Sequence, residues 1–160
     1  MSNSTAAIIR KIRDLLKKDG KINSLVHDQV HVALDADVAP ESTGFLPPAI
    51  TVAPGQVDTT RFNSHARAET LLVTLTAFTG PAFTEEELLL GGNGCVGLVE
   101  IIEAIDELLD NKHVDGGSMD AYFRCEKRGE GKGVLLDPAG TPGLWGSKSI
   151  TFEIEDQPQR

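Results

Sequence analysis

The sequence predicts an α+β domain: an antiparallel β-sheet with two main α-helices packed on one face. Three observations carry this. Two stretches repeat apolar residues at helical spacing, one near the N-terminus and one after residue 95. Several others alternate apolar and polar residues with a period of two. The order is helix, two or three strands, helix, two strands, without the one-for-one alternation of a parallel α/β sheet. Neither an internal repeat nor a second domain is apparent, so residues 1–160 read as one domain.

The first helix is capped by Ser4 or Thr5 and runs to about Lys18. Ile8, Ile9, Ile12, Leu15 and Leu16 form its apolar stripe, and Arg10, Lys11, Arg13, Lys17 and Lys18 cover the other side. Lys17 and Lys18 suit the negative end of the helix dipole, and Gly20 reads as a stop. "INSLVHD" reads as a helical turn and "QVHVAL" as a weak strand. Asp35 to Pro48, with acids, small residues and prolines, reads as an extended loop. "AITVAPG" is a short strand, and "VDTTRFNSHA" a turn or loop tip. "RAETLLVTLTAF" has apolar residues on both faces, as a central strand does, and forms a hairpin with its predecessor.

"TGPAFTEEELLLGGNG" reads as an acidic connection, followed by a helix from about Cys95 to Asn111. Leu98, Ile101, Ile102, Ile105, Leu108 and Leu109 make its apolar face, and Glu100, Glu103, Glu107 and Asp110 line the opposite side. "HVDGGS" reads as a turn, "MDAYFRCEK" as a strand and "RGEGKGVLLDPAGTPG" as a glycine-rich loop. In "WGSKSITFEIE", Ile150, Phe152 and Ile154 alternate with Thr151, Glu153 and Glu155, the pattern of a half-buried antiparallel strand.

A chain of 160 residues, 40% of them hydrophobic, can build a real core. Its formal net charge of −9 disfavours nucleic acid or an anionic membrane as a ligand. The apolar runs are too short to span a bilayer. The N-terminal "AAIIRKIRDLL" interleaves its isoleucines with charges and lacks the unbroken apolar run of a signal peptide. Cys95 and Cys125 read as buried free thiols, without the C-x-x-C spacing of a redox or zinc site.

The motif that invites a chemical reading is "GGNGCVG", in which Gly92, Gly94 and Gly97 spell G-x-G-x-x-G before a helix. A dinucleotide turn uses such glycines to bring backbone N–H groups to a pyrophosphate. It also needs a buried strand before the glycines, and "LLL" entered through Glu85, Glu86 and Glu87 is a poor one. The following helix is lined with carboxylates. A nucleotide-binding enzyme using this turn is the outlying alternative; a pliable loop with φ > 0 and close packing is the plainer reading. "RGEGKG" lacks the Ser or Thr of a phosphate loop. His27, His31, His65 and His113 have no metal-ligand spacing. No catalytic residue, cofactor or metal is expected.

Long irregular segments at about 35–48, 57–66, 79–94 and 127–144 suggest docking loops. In or beside them stand Arg61, Phe62, Arg67 and Phe83, with Trp145 and Phe45 as further aromatic anchors.

The "AIIRKIRDLL" helix, the "PPAITVAPG" and "RAETLLVTLTAF" strands, the "GLVEIIEAIDELLD" helix and the closing "WGSKSITFEIE" strand follow a known order. Over nearly the whole chain this order resembles the tail-terminator (tail-completion, minor tail) proteins of tailed bacteriophages; the Lys127–Leu144 segment departs from it. The resemblance implies a non-enzymatic virion protein of the tail or neck, assembled in the bacterial cytoplasm as a ring, usually a hexamer. It implies contacts with the tail tube protein, the head–tail connector and, in contractile tails, the sheath. DNA would pass through the ring without specific binding, with Glu100, Glu103, Glu107 and Asp110 as a candidate acidic channel face. A head–tail stopper or tube-like protein is the neighbouring alternative.

Overall fold

The computed structural model describes residues 5–40, 44–61, 67–110, 112–115, 121–136 and 142–158. The first helix, α1 (Thr5–Lys18), buries Ile8, Ile9, Ile12 and Leu16. The chain does not stop at Gly20. The Asp19 carboxylate accepts the Ile22 N–H at 3.0 Å and caps a second helix, α2 (Gly20–Val26). An aspartate N-cap restarts the helix where a glycine alone would end it.

The strands are β1 (Val30–Val32), β2 (Ala49–Arg61), β3 (Arg67–Ala82), β4 (Lys112–Asp115), β5 (Ala121–Glu130), β6 (Val134–Leu136) and β7 (Leu144–Pro158). Two more helices, α3 (Glu85–Leu90) and α4 (Leu98–Leu109), lie between β3 and β4. The sheet order is β1-β2-β3-β7-β5-β4, and β6 pairs with β7 beyond the end of β5. All pairings are antiparallel except β1 with β2. The class is the α+β class the sequence predicts, with the long helices α1 and α4 on one face and two short helices added.

β3 is the central strand. Leu71, Val73, Leu75 and Ala77 point to the helices and are buried with Ile50 and Val52 of β2 and Ile150, Phe152 and Ile154 of β7. Ile101, Ile102, Ile105 and Leu109 of α4 close the core from above, and Phe123 and Cys125 extend it under β5. Each such aliphatic side chain contributes about 1.5–3 kcal/mol by leaving water, so this layer holds the fold.

The opposite sheet face has a partial cover. Phe45 stands between the rings of His31 and Phe78. The Leu46 N–H donates to Gln29 Oε1 at 3.0 Å, and the Thr76 hydroxyl donates to the Ala36 carbonyl at 2.9 Å. The irregular segment that follows β1 is thus tied across β1, β2 and β3.

Among the described residues, three of the four expected docking loops contain regular structure. Residues 57–61 continue β2, because antiparallel pairing with β3 down to Arg61↔Arg67 satisfies their backbone whatever their polarity. Residues 79–82 finish β3, and 85–90 form α3. There the Thr84 hydroxyl accepts the Glu87 N–H at 3.2 Å while the Glu87 carboxylate accepts the Phe83 N–H at 3.3 Å. This is close to a capping box, and its Thr-x-x-Glu signature is present in the sequence. Residues 127–130 belong to β5, 134–136 form β6, and β7 starts at Leu144. "HVDGGS" is likewise not simply a turn: Lys112–Asp115 pairs with β5 as an edge strand.

The helix expected from Cys95 begins at Leu98. Gly92 and Cys95 exchange two backbone hydrogen bonds, of 3.0 and 2.9 Å, which hold a tight turn. Gly97 then serves as N-cap. Among the described residues, no helix is long and apolar enough to cross a membrane.

Candidate functional site

The glycine turn is a packed corner. Gly91, Gly92, Asn93 and Gly94 have φ of 92°, 141°, 49° and 82°, conformations that side chains resist. Gly97 has an ordinary φ, but a Cβ there would fall 2.5 Å from Gly91 N and Leu90 C. The Thr79 hydroxyl donates to the Val96 carbonyl at 2.8 Å and ties the turn to β3. The element before the glycines is α3, not a strand, and the first turn of α4 carries Glu100. A phosphate at that helix end would meet a carboxylate, so the arrangement does not cradle an anion.

The acidic residues of α4 do not form one even row. Glu100 and Glu103 are exposed. Glu107 pairs with Lys21 of α2 at 3.0 Å. Asp110 is half-buried and accepts the Lys127 N–H of β5 at 3.0 Å. Below them Lys127 Nζ bridges Asp106 at 3.1 Å and Glu130 at 2.6 Å. These contacts raise the Lys127 ammonium above its ordinary range and lower Glu130, in each case chiefly through their mutual hydrogen bond.

Of the expected interface residues, Arg61 and Arg67 are register partners at the outer end of the β2–β3 hairpin. Phe62 lies outside the described residues. Phe83 is 84% exposed ahead of α3. Trp145 is half-buried. Its ring packs so closely on Gly80 that a Cβ there would lie 2.7 Å away, and its indole N–H reaches the Pro142 carbonyl at 3.4 Å. Trp145 and Phe45 are each half-buried and held by local packing.

The Cys125 thiol is pushed up to about 12, by burial first and by the charge of Asp110 second. His31 is pulled below its ordinary value by burial and by Lys17. Among the described residues, no group of histidines, cysteines and carboxylates could hold a metal ion, and both Cys95 and Cys125 are free.

The sequence reading missed a second set of exposed residues. Leu34, Val38 and Leu46 stand open beside β1, and Leu89, Leu90, Val134 and Leu135 beside β6. Between α3 and β6 lies a groove of about 240 Å³, lined by Glu85, Leu88, Leu89, Leu98, Gly133, Val134 and Leu135. The available signal was "VLL" inside a glycine-rich stretch, an apolar run too short to announce a strand.

No family model and no curated protein matches this sequence. Among solved structures, the chain is similar to one in the virion of a native gene transfer agent (GTA) particle, with a TM-score of 0.56 and 12% identity. The alignment covers 96% of this chain and 98% of that one. At such identity the likeness is one of fold, and it runs over nearly the whole of both chains.

Proposed function

We propose that this chain is a structural virion protein, non-enzymatic, which forms a ring at the head-proximal end of a phage tail and ends growth of the tail tube. The observation that carries the reading is the end-to-end fold likeness to a chain of a gene transfer agent virion. The order of elements, which resembles the tail-terminator family, agrees with it.

Termination follows from unequal faces. A tube subunit stacks indefinitely because its two ends are complementary. A terminator keeps one such end and replaces the other, so addition stops. In this reading the ring is a hexamer. The outer end of the β2–β3 hairpin around Arg61 and Arg67 meets the tube protein, and Phe83, beyond the opposite end of β3, serves a ring contact. The other side meets the head connector, and the sheath where the tail contracts. DNA slides through without sticking, because a chain of net charge −9 offers it little attraction. Glu100, Glu103, Glu107 and Asp110 are the carboxylates proposed to face that passage, the first three exposed and Asp110 half-buried.

The test is electron microscopy of particles made without this chain. Tails of uncontrolled length are expected. Leaking heads on tails of normal length would instead identify a head–tail stopper. Reversing the charge of Arg61 and Arg67 together should give overlong or unjoined tails; normal length and infectivity would remove the hairpin end from the tube interface.

A further inference from the structure

We propose that the outer edge of β1 in one copy of this chain docks against the β6–α3 edge of the next, joining subunits head to tail through two unlike edges of one sheet. The inference rests on the ring reading and specifies the surfaces that close the ring.

The first observation is apolar exposure at both edges. Beside β1, Leu34 is 99% exposed and Leu46 68%. At the other edge Leu89, Val134 and Leu135 stand open along the α3–β6 groove. A projecting leucine and an apolar groove are complementary shapes.

The second is strand level and direction. Val30 pairs with Ile50, Ile50 with Ala77, and Ala77 with Lys148, while Val134 pairs with the adjacent Ser147. The two outer edges therefore lie at nearly the same height on opposite sides of the sheet. β1 runs in the direction of β2 and β7, and β6 runs against β7. Set side by side, β1 and the next copy's β6 are antiparallel, the pairing whose hydrogen bonds are perpendicular to the strands. Among the described residues, no strand pairs with the outer side of either. Unpaired edges of this kind are templates for another chain.

The third is charge. α1 and α3 contribute to one core on the same sheet face, α1 against β1 and β2, α3 toward β6. α1 carries Arg10, Lys11, Arg13, Lys17 and Lys18 against the single acid Asp14. α3 opens with Glu85, Glu86 and Glu87. Continuing the sheet from one copy to the next brings the cations of α1 to the carboxylates of the neighbouring α3. Joining like edges would instead oppose cation to cation. The contact is heterologous, the kind that generates rings when the rotation closes.

The test uses the full chain carrying Cys95→Ser, with either Leu34→Cys or Leu135→Cys added. Both added sites are exposed, so folding is retained, and unchanged thermal unfolding checks it. Mild oxidation of the mixed variants should give a disulfide-linked dimer, while neither variant alone cross-links. The chain carrying both cysteines should give a ladder ending at the ring number. Cross-linking of either variant with itself would overturn the proposal in favour of a like-edge contact. No cross-link in the mixture, with the wild type a ring by native mass spectrometry, overturns the edge pairing and leaves the ring reading standing. A wild type that stays monomeric up to its solubility limit overturns both.

Discussion

The Phe45 ring stands edge-on to Phe78, centroids 5.4 Å apart and planes at 86°. This contact helps to fasten the segment after β1 to the sheet face that the helices leave uncovered. His31 completes the stack on the other side of Phe45, at 5.5 Å. Removing a fully buried Phe costs about 3–5 kcal/mol; Phe45 is only half-buried, so Phe45→Ala should cost about 2 kcal/mol. Urea unfolding measures the loss. Limited proteolysis should show faster cleavage between residues 33 and 48, and an unchanged cleavage rate would refute the fastening role.

The glycine turn separates two reasons for glycine. Gly97 is crowded: a Cβ would overlap backbone, which cannot move aside as a side-chain tip can. Gly94 has open space around it but a φ of +82°. Gly97→Ala should therefore cost about 3 kcal/mol or prevent folding, and Gly94→Ala about 1 kcal/mol. Urea midpoints of both variants decide this; equal losses would contradict the packing account.

Cys125 is fully buried beneath β5, with its thiol held at about 12, whereas Cys95 is half-buried beside the glycine turn. Thiolate is the reactive form, so at pH 8 a maleimide should label Cys95 in the native protein and Cys125 only after unfolding. Peptide mass mapping reads the outcome, and native labelling of Cys125 at the rate of Cys95 would show that β5 opens.

Lys127 ties β5 to α4 through Asp106 and to the strand end through Glu130. Glu130 is lowered from 4.5 in the folded state. Its contribution is present above the unfolded value and is lost as pH falls through the folded one. Lys127 is raised, so its own contribution holds below the ordinary lysine value and fades only as pH rises through the higher folded value. Both groups are about a third exposed, so Lys127→Met should cost no more than about 1 kcal/mol at pH 7. That penalty should shrink as pH drops below 4.5 and through the lowered Glu130 value. Thermal melts of both proteins from pH 3 to 8 test this; a pH-independent difference would mean that the lost side chain acts by packing alone.

Much of the fold was legible because it depends on local periodicity. The stripe of Ile8, Ile9, Ile12 and Leu16 and the alternation of Ile150, Phe152 and Ile154 each declare one apolar side, and those sides are buried. Polar strands gave no such signal. Asp58, Thr59 and Thr60 read as a loop because nothing in their own side chains marks a strand; they are strand because β3 lies beside them. The local packing of Trp145 and Phe45 was not legible, because an aromatic in a loop looks the same whether or not a glycine or a second ring lies against it.

By itself the sequence determined the class, the two long helices, the central hairpin and the closing strand, along with an acidic balance that discourages nucleic-acid binding. Tertiary structure alone decided that Gly97 fills a backbone corner, that Glu107 and Asp110 are engaged by Lys21 and Lys127, and that Leu34 and Leu135 stand at opposite edges of one sheet. The physical reason is distance along the chain. Helical and strand periods are written within a dozen residues, whereas an edge, a groove or an ion pair exists only once segments far apart in sequence have packed together.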